Sequence, residues 1–156
     1  NQAKKYVYIF TPYLIIDNEM MTCLCLAAKN GVDVRIVTPG IPDKKLVFLL
    51  TQSYYEQLID AGVRIYEYEP GFLHAKSFVC DDEVATVGSI NLDYRSLYLH
   101  FECGVWMYRS KAVMQVKEDV QETLKRSREI TKEYCQSRNM VVRLTQSLLR
   151  LMAPLL

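Results

Sequence analysis

Residues 73–91, LHAKSFVCDDEVATVGSIN, decide how the sheet of this protein is completed. Two short runs with apolar residues flank a pair of aspartates, so the stretch predicts an antiparallel hairpin with strands over 74–80 and 83–89. The open end of this hairpin carries four polar side chains that a core strand does not need, namely His74, Lys76, Ser89 and Asn91. We therefore ask whether these four side chains form a site.

The spacing of the four residues predicts that they converge. Residues two apart on a strand point the same way, so His74 and Lys76 share a face, and so do Ser89 and Asn91. If the two aspartates form a two-residue turn, His74 lies opposite Ser89. If the loop is two residues longer, His74 lies opposite Asn91 and Lys76 lies opposite Ser89. Either even-length loop puts all four side chains on one face, about 5 Å apart across the strands.

The chemistry of this set fits a phosphate group. His74 can act as a nucleophile or base, and the other three side chains are hydrogen-bond donors that suit non-bridging phosphate oxygens. A histidine can attack phosphorus and form a phosphohistidine. There is no cluster of carboxylates that could hold a metal, so we expect neither a metal nor another cofactor. Gly88 allows close backbone approach at the strand end. The alternative is that His74 is a structural residue of an ordinary strand.

The chain upstream of the hairpin alternates between strand and helix. Strands are predicted at 5–10, 32–37 and 63–68, and amphipathic helices at 18–30 and 44–61, with Asp17 capping the first. This order argues for a sheet that is parallel in this half.

Downstream of the hairpin, a strand is predicted at 98–108 and a long helix at 111–133. A last segment, 140–152, has Val141, Leu144, Leu148 and Leu151 on one side. A helix packed on its own sheet is the expected arrangement, and contact with a membrane surface is the alternative. The fold class is therefore α/β, a mixed β-sheet flanked by helices on both faces.

Length and composition restrict the possible classes. The 156 residues fit one domain, residues 1–156, and the formal net charge of +1 gives no strong case for nucleic acid as a partner. The five cysteines are odd in number and contain no CxxC pair, so we interpret them as reduced thiols. No apolar run approaches a membrane span, and no signal peptide is visible. The chain begins Asn-Gln-Ala, and we expect it to be part of a longer protein.

The hairpin residues also follow a known pattern, HxKxxxxD…GSxN. Its positions are filled by His74, Lys76, Asp81, Gly88, Ser89 and Asn91. In this the chain resembles the phospholipase D superfamily. The stretches YVYIFTPYLIIDNEM (6–20) and GSINLDYRSLYLHFE (88–102) resemble the C-terminal half of bacterial cardiolipin synthases. The resemblance covers almost the whole chain.

The resemblance implies a role for each residue of the pattern. His74 would be the nucleophile or the general acid, and Lys76, Ser89 and Asn91 would hold the phosphoryl oxygens. Glu102 would orient the histidine ring through its other nitrogen. Asp81 falls at the turn, and we expect it to make backbone hydrogen bonds there rather than to be catalytic. His100 stands where the family suggests Asn, and we interpret it as a solvent or pocket-rim residue.

One histidine does not complete the site that the resemblance implies. In-line displacement places the attacking and leaving oxygens on opposite sides of phosphorus, and the superfamily uses two HxK copies that face each other. This chain has one copy. The other copy lies either upstream in the parent chain, which we favour, or in a second copy of this chain as a homodimer. In both cases the pairing surface should be unusually apolar.

The resemblance implies a phosphatidyltransferase that makes cardiolipin from two molecules of phosphatidylglycerol. The alternatives are a homodimeric phosphodiesterase, either a phospholipase or a nuclease, and a non-catalytic pairing domain. The expected partner is a phospholipid, with no nucleic acid. The parent enzyme would act at the cytoplasmic face of the bacterial membrane, whereas this piece would itself be soluble.

Overall fold

The computed structural model describes residues 2–155. The strands in this range are β1 (Tyr6–Phe10), β2 (Leu14–Ile15), β3 (Asp33–Pro39), β4 (Arg64–Tyr68), β5 (Ser77–Cys80), β6 (Val84–Gly88), β7 (Leu92–Asp93), β8 (Gly104–Tyr108) and β9 (Ser127–Ile130). The helices are α1 (Asn18–Lys29), α2 (Lys45–Gln52), α3 (Tyr55–Asp60), α4 (Lys111–Leu124), α5 (Lys132–Gln136) and α6 (Met140–Met152). A π-helical turn covers Arg95–Leu99, and a 3₁₀ turn covers Ala153–Leu155.

A seven-stranded mixed sheet organises these elements, with the strand order β8-β6-β5-β1-β3-β4-β9. The strands β1, β3 and β4 are parallel, because a helical connection separates each from the next. The neighbours β5, β6, β8 and β9 all pair antiparallel. The predicted α/β class and mixed sheet are confirmed.

Helices cover both faces of the sheet, as predicted. On one face, α1, α2 and α3 bury Leu24, Leu50 and Leu58 in a cluster with Ile36 and Ile65. On the other face, α4 packs Val113 and Val120 on a second cluster. Each fully buried aliphatic side chain contributes about 1.5–3 kcal/mol. The sheet is therefore anchored from both sides, and its polar edge residues are held on a rigid frame.

The predicted helix over 111–133 ends early, at Leu124. The chain then turns and adds β9 as an edge strand antiparallel to β4. Ile130 pairs with Ile65 and is buried, and Arg64 forms an ion pair with Glu129 at 2.8 Å. Burial of Ile130 and the new backbone ladder outweigh the helical propensity of this segment.

The predicted helix over 44–61 is interrupted between α2 and α3. At the break, the Ser53 hydroxyl donates a hydrogen bond to the Leu50 carbonyl oxygen at 2.6 Å, and the Ser53 N–H donates to the same oxygen. Serine competes in this way with the regular helical ladder. The two shorter helices still bury the same apolar face.

The hairpin forms, but its predicted even-length loop is wrong. Cys80 pairs with Val84, so the loop contains three residues, 81–83. Asp81 and Asp82 have φ values of 53° and 62°, a left-handed conformation that aspartate tolerates. The last hydrogen bond between the two arms of the hairpin is donated by the Gly88 N–H to the Lys76 carbonyl oxygen at 3.2 Å. Residues 89–91 therefore approach the site from beyond the strand end and not as a paired face.

The last helix differs from the prediction in its orientation. The apolar side of α6 faces outward. Other residues of the helix pack on α2, and Arg143 forms an ion pair with Glu56 of α3. Among residues 2–155, no helix has both the length and the apolar character needed to cross a membrane.

Candidate active site

His74 lies in the segment just before β5, at the edge of the sheet where β1 and β3 end. Its ring is exposed and stacks on Phe72, with the ring centroids 5.3 Å apart. No residue within 2–155 forms a hydrogen bond with its ring nitrogens. The stacking restricts the imidazole, and the ring remains exposed.

Lys76 is half-buried next to His74. Its Nζ donates a hydrogen bond to the His74 carbonyl oxygen at 2.7 Å, which fixes the end of this long side chain. Burial lowers the pKa of Lys76 below its ordinary value, while the carboxylates of Glu102 and Asp93 act in the opposite direction. Both carboxylates therefore favour the charged form of Lys76.

Glu102 is held by two serine hydroxyls. Ser89 donates to its Oε2, and Ser96 donates to its Oε1 at 2.8 Å. Hydrogen bonds from Ser89 and Ser96 lower the pKa of Glu102, with smaller contributions from His100 and Lys76. The carboxylate is therefore ionised at neutral pH. No hydrogen bond joins Glu102 to His74 within residues 2–155, and the orienting role of Glu102 remains a prediction.

Ser89 is fixed at both its backbone and its side chain. Its N–H donates to the Cys103 carbonyl oxygen at 2.9 Å, and its Oγ accepts a hydrogen bond from the Cys103 N–H at 3.0 Å. The close approach of these two segments depends on Gly88, because a Cβ atom there would lie 2.3 Å from the Cys103 carbonyl oxygen. The expected need for glycine at this strand end is confirmed by that distance.

Asn91 contributes an unsatisfied polar atom. Its Oδ1 is buried and has no hydrogen-bond partner among the residues that the structure describes. Leaving such an atom unpaired costs about 1–3 kcal/mol. A ligand hydroxyl or a protonated imidazole could supply the missing donor, while the amide nitrogen of the same side chain can donate to a phosphate oxygen.

Long-range hydrogen bonds hold the loop that carries Asn91. The Leu92 N–H donates to Thr11 Oγ1 at 3.0 Å, which ties this loop to the end of β1. The buried Asp93 accepts a hydrogen bond from the Ser96 N–H at 2.7 Å and so begins the π-helical turn. The predicted strand over 98–108 therefore starts only at Gly104. Sequence reasoning missed Ser96, although Asp93 three residues before it is a helix-capping signal.

Asp81 lies at the far end of the hairpin. Its carboxylate accepts hydrogen bonds from the backbone N–H groups of Lys4, Lys5 and Tyr6 at 2.7, 2.9 and 2.9 Å. Burial acts to raise the pKa of Asp81, but these three donors outweigh it and the pKa is below its ordinary value. The expected backbone bonds are present, and an exclusively structural role remains a prediction.

An open cleft of about 610 Å³ extends from His74 and Lys76. Val105 and Met107 of β8 and Val116 of α4 form much of its wall, and Gln115 and Asp119 of α4 add polar groups to a surface that is mainly apolar. No group of three His, Cys, Asp or Glu side chains in residues 2–155 is placed to hold a metal. Metal-independent chemistry remains a prediction.

The edge of the sheet beside this cleft exposes large apolar side chains on both faces. Val105 and Trp106 point to opposite sides of β8, and both are exposed. Trp106 stacks on Tyr108, with the ring centroids 5.6 Å apart, and Phe101 is fully exposed nearby in sequence. An apolar surface of this kind is what a pairing partner would cover.

Residues 1–124 match the family described as "Cardiolipin synthase, PLD-like domain". Cardiolipin synthase 2 of Bacillus cereus is 40% identical over 99% of this chain and 30% of its own length. An uncharacterized protein of Streptococcus mutans is 54% identical over the whole of this chain and 34% of its own length. The chain thus spans about a third of the length of these relatives.

Solved structures confirm the fold. A phosphatidylserine synthase from Haemophilus influenzae superposes with a TM-score of 0.75 and 19% identity, covering 99% of this chain and 40% of that one. At this identity the likeness concerns the fold alone. The match to the family model, together with the sequence identity to the curated relatives, shows that this chain belongs to the phospholipase D-like domain family of cardiolipin synthases.

Proposed function

We propose that this chain supplies one half-site of a phosphatidyltransferase that makes cardiolipin from two molecules of phosphatidylglycerol. One observation carries the proposal: His74 and Lys76 lie at one end of a mainly apolar cleft. A phospholipid has the matching form, a charged phosphodiester joined to apolar chains. The polar end would hold the phosphodiester, and the apolar walls would accept the adjoining lipid and exclude water.

The polar residues divide between binding and chemistry. Lys76, Ser89 and Asn91 would donate hydrogen bonds to the non-bridging oxygens and stabilise the charge that develops there. His74 would either attack phosphorus or protonate the leaving oxygen. Glu102 would act as a positioning residue, because its ionised carboxylate fixes Ser89 and lies close enough to Lys76 to affect its pKa.

The reaction balances over two displacements. In the first, a histidine nitrogen forms a bond to phosphorus, the bond between phosphorus and the glycerol oxygen breaks, and glycerol leaves with one proton. In the second, the hydroxyl of another phosphatidylglycerol attacks the phosphohistidine, the bond between phosphorus and nitrogen breaks, and the hydroxyl proton passes to a basic group. The products are one cardiolipin and one glycerol.

Two histidines are needed, since the attacking and leaving groups stand on opposite sides of phosphorus. We propose that the second HxK copy lies in the remainder of a longer chain, as the length of the relatives suggests. The apolar edge at β8 supports pairing there, because it adjoins the cleft that contains His74. A homodimer is the second arrangement that this surface permits.

Product analysis on the complete protein tests the proposal. With phosphatidylglycerol as substrate, cardiolipin and glycerol should form in equal amounts, and Lys76→Met should lower the rate by at least about tenfold through loss of a charged donor. Lys111→Met, at an exposed position at the start of α4, is the matched control and should leave the rate unchanged. Phosphatidic acid as the only lipid product would show a phospholipase and refute the transferase. Cleavage of nucleic acid without lipid turnover would refute both.

A further inference from the structure

The single hydroxyl proton of Ser89 is directed at Glu102. Ser89 Oγ accepts a hydrogen bond from the Cys103 N–H at 3.0 Å and donates to Glu102 Oε2. The Cys103 carbonyl oxygen lies 3.3 Å from the same Oγ, but it is uncharged and therefore the weaker acceptor. A serine hydroxyl has only one proton to donate. While Ser89 is bonded to Glu102, it has no donor left for a ligand.

A phosphodiester needs that donor. Its non-bridging oxygens share a negative charge and carry no proton near neutral pH, so they only accept hydrogen bonds. Ser89 is exposed, and its hydroxyl can rotate towards a ligand in the cleft. If Ser89 donates to a phosphate oxygen, as the proposed function requires, its proton must turn away from Glu102 Oε2. Glu102 then loses one of its two serine donors at the moment when the substrate binds.

Ser96 holds the other oxygen of this carboxylate. Its Oγ donates to Glu102 Oε1 at 2.8 Å. Ser96 is buried, so a ligand can compete for the exposed Ser89 but not for Ser96. The Ser96 N–H donates to the buried Asp93 at 2.7 Å, which fixes the serine at the start of the π-helical turn. The hydrogen bond to Oε1 therefore does not depend on whether the cleft is occupied.

The charge of Glu102 explains why one of the two serine bonds has to persist. Hydrogen bonds from Ser89 and Ser96 lower the pKa of Glu102, and the ionised carboxylate in turn favours the charged form of Lys76. A bound phosphodiester is negative and repels this carboxylate. Without any serine donor, Glu102 would be free to rotate away from Lys76. The retained bond from Ser96 keeps the carboxylate in place.

We propose that Ser96 is a positioning residue that holds Glu102 while Ser89 transfers its hydrogen bond from Glu102 to the phosphate of the substrate. The proton stays on Ser89 Oγ throughout, and only its acceptor changes. Ser96 itself does not touch the substrate. This inference rests on the proposed function and deepens it, because it assigns separate tasks to the exposed and the buried serine.

Steady-state kinetics of the complete protein with phosphatidylglycerol test the inference. Ser96→Ala should lower kcat about tenfold, the order expected for loss of one hydrogen bond to a charged group, and should change KM by less than about threefold. The acid limb of its pH–rate profile should move to higher pH, because Ser96 no longer lowers the pKa of Glu102. The backbone bond to Asp93 remains in this variant, so the π-helical turn should still fold.

Two controls separate positioning from a structural effect. In a Glu102→Ala background, Ser96→Ala should change kcat by no more than about twofold, because Ser96 acts only through Glu102. Ser53→Ala removes a serine hydroxyl that donates to the Leu50 carbonyl oxygen at 2.6 Å, on the face of the sheet opposite the cleft, and should leave kcat and the pH profile unchanged.

The outcomes also distinguish this inference from the proposed function. A loss in Ser96→Ala that is equal at every pH, or that persists in the Glu102→Ala background, would show a structural role and overturn the inference. Wild-type kinetics in Ser96→Ala would overturn it while cardiolipin formation still supports the proposed function. A wild-type protein that forms no cardiolipin would refute the proposed function, and the inference with it.

Discussion

Replacement of Gly88 by alanine should separate β6 from β8 next to the site. A Cβ atom at this position would lie 2.3 Å from the Cys103 carbonyl oxygen and 2.5 Å from the Gly104 Cα. Both atoms belong to the backbone of the neighbouring segment, so no side chain can rotate away. The strands would have to move apart by about 1 Å to restore ordinary contact distances.

The cost follows from that displacement. Overpacking costs about 1–3 kcal/mol, and we expect about 2–3 kcal/mol because backbone must move on both sides. For a protein of this size, that corresponds to a fall in Tm of about 5–10 °C. The backbone bond from Ser89 to Cys103 crosses the same gap, so the movement should also loosen Ser89.

Gly104→Ala is the matched control, because Gly104 pairs directly with Gly88. A Cβ atom there would lie 3.6 Å from Ile90 Cδ1 and 3.8 Å from the Val87 carbonyl oxygen, both ordinary contacts. Thermal unfolding followed by circular dichroism should show a large loss for Gly88→Ala and little or none for Gly104→Ala. If both variants unfold within about 1 °C of the wild type, the packing argument is wrong.

Three further predictions concern single side chains. Asp81→Asn should lower the free energy of unfolding by about 1–2 kcal/mol near neutral pH, since the folded-state pKa of Asp81 is depressed. The difference from the wild type should shrink as the pH falls through that pKa, and denaturant unfolding at two pH values measures it. An equal difference at both pH values would contradict the prediction. Asp17→Ala should cost about 1 kcal/mol by removing the acceptor for the Met20 N–H at the start of α1, and unchanged urea unfolding would contradict the capping role. Glu102→Gln should lower kcat by a larger factor than it changes KM. It should also remove the fall in rate that protonation of Glu102 causes at acid pH in the wild type. Identical pH–rate profiles for the two proteins would contradict a catalytic contribution of this carboxylate.

Local patterns predicted most of the sheet. The alternation of strands and helices up to residue 68, and the hairpin after it, follow from periodicity that each segment carries by itself. The strand β9 could not be predicted from local periodicity, because it pairs with β4 across about sixty positions of sequence. That pairing is stabilised only when Ile130 is buried in the core. Likewise, the exposed direction of α6 depends on Gln146 meeting the Leu49 carbonyl group, a contact that periodicity does not reveal.

The sequence predicts which residues form the candidate site, but it does not predict their geometry. The spacing of His74, Lys76, Ser89 and Asn91 predicts that they converge, yet the predicted even-length loop is wrong, because two left-handed aspartates and one further residue close the turn. The hydrogen bond between Leu92 and Thr11 joins residues 81 positions apart, so no local sequence motif predicts it. Such long-range contacts, and not strand pairing, hold residues 89–91 in position.

We propose that His74 and its neighbouring donors process a phosphodiester without a metal. The most direct test is the rate of phosphatidyl transfer by the complete protein in the presence of EDTA, with His74→Ala and His100→Ala compared. The chain has only these two histidines, and His100 is exposed. We expect that EDTA has no effect on the rate, that His74→Ala lowers the rate at least about a hundredfold, and that the rate of His100→Ala stays within a few-fold of the wild type. Full activity in His74→Ala, or loss of wild-type activity in EDTA, would contradict it.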